Sequence, residues 1–346
     1  MSSKYMVRQV EIGAQADVIT ALWSRCLESL TPQAAASRLQ HRYLRNPAGV
    51  GATLLLEQAQ PPEVAGVQCL YSRVFHQHGR TWRVAGMADY AVAESHRTLG
   101  PALQLMKQGL AVARDTHDWV YGLANPKSEA VCKRSGLRLF GNLGRWTRLL
   151  RSGRALRERL PGLVAGLAAP VLDLALFVRD ALMLGKAGAL RWQDGRAFDP
   201  ALDEVWQRHD PALLLSERSR CVLEWRFDEE EHGRWTVSLA RRADGTALGY
   251  VVWQAQDDTA AIADFLCTDP LHGTALLMRS FAWHMRGHGV QRLSLEFFGA
   301  PGVEEGLRRA GYIRRPDERP VYLADGAQAT PAPEHWYFTG FDRDGD

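Results

Sequence analysis

Several features that would narrow the class of this 346-residue sequence at once are missing from it. Its five cysteines, Cys26, Cys69, Cys132, Cys221 and Cys267, are odd in number, scattered and never spaced C-x-x-C. That excludes a disulfide framework and a cysteine zinc site, and it predicts a reducing compartment. A large excess of one sign of charge is missing: the formal net charge is +3, too mild for a nucleic-acid footprint, so no nucleic-acid partner is expected. The start, Met1-Ser2-Ser3-Lys4-Tyr5 running into Arg8-Gln9-Val10-Glu11, lacks the apolar core of a secretory signal, and a cytoplasmic location is expected. What is present, 46% hydrophobic and 23% charged residues, suffices for substantial cores. The length suits two domains of about 100–200 residues each.

Repeats come before motifs, because a repeat decides the fold. Leu39-Gln-His-Arg42-Tyr43 with Gly49 matches Leu223-Glu-Trp-Arg226-Phe227 with Gly233. Gly66-Val67 then answers Gly249-Tyr250, Ala88-Asp89-Tyr90 answers Ala263-Asp264-Phe265, Gly100-Pro-Ala102-Leu103 answers Gly273-Thr-Ala275-Leu276, and Ser135-Gly136-Leu137 answers Ala310-Gly311-Tyr312. The common order and slowly drifting offset point to two copies of one unit.

Each copy reads alike. Thr53–Glu57, Gly66–Val74 and Thr81–Val92 are extended, β-branched and aromatic runs, a strand meander. Ala102, Leu103, Met106, Leu110 and Ala113 recur at helical spacing, Trp119–Leu123 is a strand, and Glu129–Ser135 a short helix stopped by Gly136. The second copy repeats this with strands near Thr236–Ala240, Gly249–Gln254 and Ala260–Cys267, a helix over Ala275–Arg286, a strand at Arg292–Phe297 and a helix near Val303–Ala310. The expected fold is α/β (α+β) with a mixed sheet. Residues 1–150 form an N-terminal domain, 151–205 a helical linker and 206–346 a C-terminal domain with a docked aromatic tail.

In the first copy the strand ending at Val92 leads through Arg97-Thr98-Leu99-Gly100-Pro101-Ala102 straight into a helix. A helix start offers unpaired N–H groups and the positive end of the macrodipole, so an Arg/Gly loop there suits a pyrophosphate. Arg97-x-x-Gly100-x-Ala102 resembles the Q/R-x-x-G-x-G/A loop of the GCN5-related N-acetyltransferase family. Gly122-Leu-Ala-Asn125-Pro126 with Cys132-Lys-Arg-Ser-Gly136-Leu137 is similar to that family's fifth strand and following helix. The resemblance covers about residues 39–150 well and about 223–325 more weakly. It implies two tandem acyl-CoA N-acyltransferase-like domains and acetyl-CoA, or another acyl-CoA, as co-substrate, bound by Val92, Arg97, Thr98, Leu99, Gly100, Ala102 and Asn125. It also implies direct attack of an amine, or sometimes a hydroxyl, on the thioester. The second copy reads Pro270-Leu-His-Gly273-Thr-Ala275, with proline in place of the basic residue, and is expected to be a degenerate copy that shapes the acceptor cleft.

Acyl transfer needs a base for the nucleophile and a donor for the leaving thiolate. Asp89 and Glu94 are the candidate bases, with His96 a third. Cys132 stands where the family often has a donor tyrosine. Tyr43, Trp225 and Arg226 are candidates to line the acceptor site, and packing is their alternative role. His76-x-His78 has no third ligand nearby in sequence, and no metal is expected. Between the copies, Arg148, Arg151, Arg154, Arg157 and Arg159 precede the apolar Pro161–Leu172 and Leu174–Val178, too short for the ~20 residues of a spanning helix. Two readings stay open there, a bridging helix that packs and peripheral contact with an anionic membrane. The tail, with Trp336, Thr339-Gly340 and Asp342-Arg-Asp344, is similar to the ending of tandem acetyltransferase-like proteins of bacterial exopolysaccharide production, which implies a saccharide or other small-molecule acceptor. The rivals are a tRNA-dependent aminoacyl or peptidyl transferase and a non-catalytic acyl-CoA-binding module.

Overall fold

A computed structural model describes residues 4–27, 30–157, 160–185, 189–227, 235–326 and 328–343. Arg159, Gly233 and Asp344, used in the sequence reading, lie outside the described residues, as do Met1–Ser3. The first half runs β1 (Tyr5–Val10), α1 (Ala16–Cys26), α2 (Pro32–Arg38), a π-helical turn (Leu39–Leu44), β2 (Thr53–Gln58), β3 (Glu63–Gln77), β4 (Arg80–Val92), α3 (Leu99–Thr116), β5 (Trp119–Leu123), α4 (Glu129–Ser135) and β6 (Arg138–Leu149). A bridge of α5 (Gly153–Arg157), α6 (Gly162–Leu184) and β7 (Arg191–Gly195) follows. The second half is α7 (Ala201–Gln207), β8 (Leu214–Ser216), α8 (Arg220–Arg226), β9 (Thr236–Arg241), β10 (Ala247–Gln256), β11 (Thr259–Cys267), α9 (Pro270–Gly287), β12 (Arg292–Gly299), α10 (Pro301–Arg309), β13 (Ile313–Asp325) and β14 (Trp336–Thr339).

Local chemistry explains the elements. On α3 the buried residues Ala102, Leu105, Met106, Gly109, Leu110 and Ala113 form one stripe at three- and four-residue spacing, which lays the helix on the sheet. Leu105, rather than the expected Leu103, belongs to it. α4 ends where Gly136 takes φ +100°, a left-handed cap that costs glycine nothing sterically.

The strands form one mixed sheet in the order β1-β2-β3-β4-β5-β13-β6-β12-β11-β10-β9-β7. β6 of the first half and β13 of the second each lie in the other half's sheet. β13 pairs antiparallel with β5, from Val321 opposite Leu123 to Asp325 opposite Trp119, and β6 pairs antiparallel with β12, from Arg292 opposite Leu149 to Phe297 opposite Gly144. β6 and β13 pair with each other between them. β14 adds to β12 and, in parallel, to β8, which pairs with β3, so β3-β4-β5-β13-β6-β12-β14-β8 closes a ring of hydrogen-bonded strands. Trp119, Tyr121, Phe75, Trp336 and Phe338 pack together in this region, each fully buried. The 151–205 segment is not wholly helical, since Arg191–Gly195 is the edge strand β7, paired with β9.

α6 faces two ways. Inward, Asp180 pairs with Arg148 and Arg286, both at 2.8 Å, and Asp173 accepts from the Ser152 hydroxyl at 2.6 Å. Outward, Leu163, Leu167, Val171, Leu174 and Leu182 are 63–87% exposed. No helix among the described residues is long and apolar enough to cross a membrane.

Cutting the chain at residue 150 separates β6 from β12 and β5 from β13, leaving open edges on both pieces. Residues 1–150 expressed alone are therefore expected to show no cooperative thermal transition by circular dichroism, while co-expression with 151–346 restores a 1:1 complex that melts cooperatively. A cooperative transition in the isolated fragment would contradict the need for exchange.

Candidate active site

β4 and β5 run parallel and pair only from Val84 to Gly86 against Trp119 to Tyr121. Beyond that point β4 continues to Val92 and β5 to Leu123 without pairing, so the two strands part. The cause lies in β4. Its register against β3 slips between Val67 and Cys69, and Asp89 adopts φ +48°, a left-handed conformation that aspartate tolerates better than most residues. Asp89 is held there by Arg38 at 3.0 Å, Arg42 at 3.0 Å and the Tyr43 hydroxyl at 2.6 Å, while Trp23 Nε1 donates to its carbonyl at 3.1 Å. The π-helical turn supplies Arg42 and Tyr43 to the same carboxylate, an irregularity of the kind that often marks functional sites. The candidate base Asp89 is thereby corrected. Its side chain is 4% exposed and both oxygens are engaged by cations or a hydroxyl, which suits shaping the bulge and does not suit accepting an acceptor's proton. Tyr43 is likewise core, fully buried against Trp23, and does not line a cleft.

The open end of the splay meets the expected donor loop. Thr98 precedes α3 in an extended conformation and its side chain makes no capping bond. The first N–H groups of a helix have no intrahelical partners, so an uncapped start is a ready anion site. A Cβ on Gly100 would meet nothing within 4 Å, and Arg97, Thr98, Leu99 and Gly100 are all exposed. Arg97 arches back, donating from Nε to the Val92 carbonyl at 2.9 Å and from Nη2 to the Cys26 carbonyl at 3.3 Å. Ala102 is buried, and its carbonyl accepts from the Tyr90 hydroxyl at 2.9 Å.

The second half has the same parting of strands with a different filling. β11 and β12 pair from Thr259 to Ile262 against Arg292 to Leu295, and β14 then adds to β12 where they separate, with Phe297, Phe298 and Gly299 opposite Thr339, Phe338 and Tyr337. The Tyr337 hydroxyl donates to the Phe265 carbonyl on β11. Asp264 accepts from Arg218 at 3.1 Å, Tyr250 at 2.8 Å and Thr339 at 2.7 Å. Burial alone would lower the Arg218 pKa, but Asp264 and Asp342 together raise it. The start of α9 is capped by the Asp269 carboxylate, which accepts from the His272 N–H at 3.1 Å, and a Cβ on Gly273 would lie 3.1 Å from Cys267 Sγ.

The remaining sequence candidates fall in several places. Glu94 is exposed in a short turn just after β4. His96 is pinned between the Tyr5 hydroxyl at 2.8 Å and Glu63 at 3.2 Å. Asn125 Oδ1 accepts from the N–H groups of Lys127 at 3.0 Å and Ser128 at 2.9 Å, building the turn into α4. Cys132 is buried on α4, and burial pushes its thiol up to about 11. Tyr90, named in the sequence only as part of the repeat, stands close enough to Cys132 that the thiol, after burial, raises its pKa too. Trp225 donates from Nε1 to the His41 carbonyl at 2.9 Å and stacks on that ring. Arg226 donates to the carbonyls of Phe341 at 3.0 Å and Arg343 at 3.3 Å, so it ties down the tail. His76 faces Glu217 at 4.0 Å, and His78 sits at φ +50° in the hairpin turn.

Trp225 also lines a shallow cavity with Asn46, Pro47, Glu217, Val222 and Arg73. Arg73 is 3% exposed, donates from Nη2 to the Phe341 carbonyl at 2.9 Å, and has no hydrogen-bond partner for Nε or Nη1. Sequence reasoning passed over it, although an arginine inside the apolar strand run Cys69-Leu-Tyr-Ser-Arg73-Val-Phe75 was a visible signal.

No protein-family model and no curated protein matches the chain in sequence. Solved structures do match it in fold. A probable N-acyltransferase from Enterococcus faecalis superposes with TM-score 0.63 at 12% identity, covering 93% of this chain and 72% of that one. A GCN5-related N-acetyltransferase from Anabaena variabilis gives 0.61 at 12% identity over 92% and 72%, and one from Kribbella flavida 0.59 at 17% over 92% and 71%. The chain thus has the mixed α/β fold of GCN5-related N-acetyltransferases.

Burial also decides which thiols react. Cys132 at about 11 and Cys267 at about 12 leave a thiolate fraction at pH 8 of about 0.001 or less, and alkylation proceeds through the thiolate. Iodoacetamide at pH 8 followed by peptide mass spectrometry is expected to modify the exposed Cys221 first and to leave Cys132 and Cys267 intact. Early labelling of Cys132 would mean that α4 opens readily.

Proposed function

We propose that the protein is an acyl-CoA-dependent acyltransferase made of two duplicated halves, the first holding the donor and the second walling the acceptor side. The observation that supports this is the contrast between the two strand partings. One ends at an uncapped helix start beside Arg97 and an unobstructed Gly100, and the other is filled by β14 and capped by Asp269. The pyrophosphate of acetyl-CoA would sit on the N–H groups of Leu99 and Gly100 with Arg97 swung onto it, and the pantetheine arm would lie between β4 and β5. A neutral amine or hydroxyl then attacks the thioester carbonyl, and the tetrahedral intermediate expels the CoA thiolate. Tyr90 or Cys132 would protonate that thiolate, and Glu94 would take the acceptor's proton through water. Arg73, a buried cation whose Nε and Nη1 have no hydrogen-bond partner and which lines the cavity with Trp225, favours an acceptor that carries a carboxylate or phosphate, such as an envelope saccharide precursor.

At about 100 times its dissociation constant, acetyl-CoA contributes about 2.7 kcal/mol, a melting shift of roughly 4 °C for a chain that melts as one unit. Arg97→Ala with Gly100→Trp is expected to abolish that shift, whereas His272→Trp, at an exposed position on the start of α9, leaves it intact. An unchanged shift in the double variant refutes the loop assignment. Binding without turnover of any amine or hydroxyl acceptor favours the non-catalytic module, and activity that survives without Arg97 favours the tRNA-dependent rival.

A second reading concerns attachment. The outward leucines of α6, with Arg151, Arg154 and Arg157 beside its start, favour peripheral contact with an anionic membrane over packing alone. Co-sedimentation with vesicles containing phosphatidylserine is expected at low salt, weakening near 0.15 M as the screening length falls to about 8 Å. Replacing Leu163, Leu167 and Leu174 by serine should abolish it. No binding at low salt would leave packing as the role.

A further inference from the structure

We propose that Asp194, His284 and His288 form a binding site for a divalent transition-metal ion of the zinc class, separate from the donor site. Asp194 lies on the edge strand β7, and His284 and His288 lie four residues apart at the end of α9, which turns both imidazoles to the same side. His284 Nε2 is 3.0 Å from Asp194 Oδ1 and 2.8 Å from Oδ2, and His288 Nε2 is 3.1 Å from Oδ2. One ligand atom from each residue lies within 4.8 Å of the other two. Three ligands at metal bonds of about 2.0–2.2 Å stand about 3–3.5 Å apart around a tetrahedral ion, so the side chains need only a small adjustment to close on one.

The surroundings orient the ligands. Ser238 Oγ donates to Asp194 Oδ1 at 2.6 Å and itself accepts from Trp253 Nε1 at 2.8 Å. Trp192 stacks on the His284 ring, 5.5 Å away and 14° from parallel, and its own Nε1 is fixed by Ser280 at 2.9 Å. Hydrogen-bonded support of this kind is what holds metal-ligating side chains in place. Two imidazoles and one carboxylate suit zinc and its imidazole-preferring neighbours and suit calcium or magnesium poorly. The ligand side chains are 20–41% exposed, so an ion can enter and complete its coordination with water. In the sheet order β7 is the far edge, seven strands from β5, so the ion would staple that edge strand to α9 and take no part in acyl transfer.

The test uses the full chain, untagged, stripped with a chelator and titrated with zinc chloride by calorimetry against a competing chelator. One equivalent of zinc and a raised melting temperature are expected. His284→Gln with His288→Gln should remove the stoichiometric site, Ser238→Ala should weaken it by about 10-fold or more, and His272→Ala should not change it. Absence of stoichiometric binding, or the same isotherm in the double variant, overturns the proposal. Should the double variant fail to fold by circular dichroism, cobalt substitution of the wild-type chain decides: visible bands of a four- or five-coordinate nitrogen and oxygen site support it, and the spectrum of hexaaquo cobalt overturns it.

Discussion

The exchange of β6 and β13 is the constraint on which the rest of the molecule depends. A strand edge buried without a partner leaves N–H and C=O groups unpaired in a low-dielectric interior, and each such group costs about 1–3 kcal/mol. β5 is only Trp119–Leu123, and its far side is satisfied by Val321–Asp325, nearly two hundred residues away in sequence. β12 receives Gly144–Leu149 in the same way. Each parting of strands is backed by a strand from the other half, so both are properties of the whole chain.

Given that frame, the two halves diverge through small chemical differences at equivalent places. Both bulged strands carry an aspartate fixed by arginine and tyrosine, Asp89 by Arg42 and Tyr43, and Asp264 by Arg218 and Tyr250. The bulges therefore persist in both. What differs is the helix that follows. Thr98 leaves the start of α3 uncapped, whereas Asp269 already places a carboxylate on the start of α9, where it repels any second anion.

The local elements were legible in the sequence because their signals are local. Trp119–Leu123 and Glu129–Ser135 fall where strand and helix patterns put them, and Gly136 ends its helix as a glycine should. Pairing partners were not legible, since an apolar run records that it is buried and not beside what. The same limit explains the residue roles. Arg42 and Arg226 align by sequence, yet Arg42 binds the bulge aspartate while its structural counterpart in the second half is Arg218, and Arg226 has been turned to the tail. Asp89 read as a candidate base because its identity was visible and its three donors, 46 to 51 residues upstream, were not. Asp194, His284 and His288 lie about 90 residues apart and share no motif until β7 meets α9.

The tail then ties residues of the two halves together. Trp336–Thr339 fills the second parting of strands, and the residues just after it turn their carbonyls the other way: Phe341 accepts from Arg73 at 2.9 Å and Arg226 at 3.0 Å, and Asp342 accepts from the Tyr121 hydroxyl at 2.8 Å. Tyr121 is the last β5 residue paired with β4 before the strands separate. Arg73 spends one of its donors on the tail and keeps Nε and Nη1 beside Trp225. The segment that fills the second parting of strands therefore also anchors Arg73, which lines the cavity with Trp225. That dual use gives a physical reason for the second parting of strands to stay filled: its plug fixes the position of a buried arginine that lines this cavity.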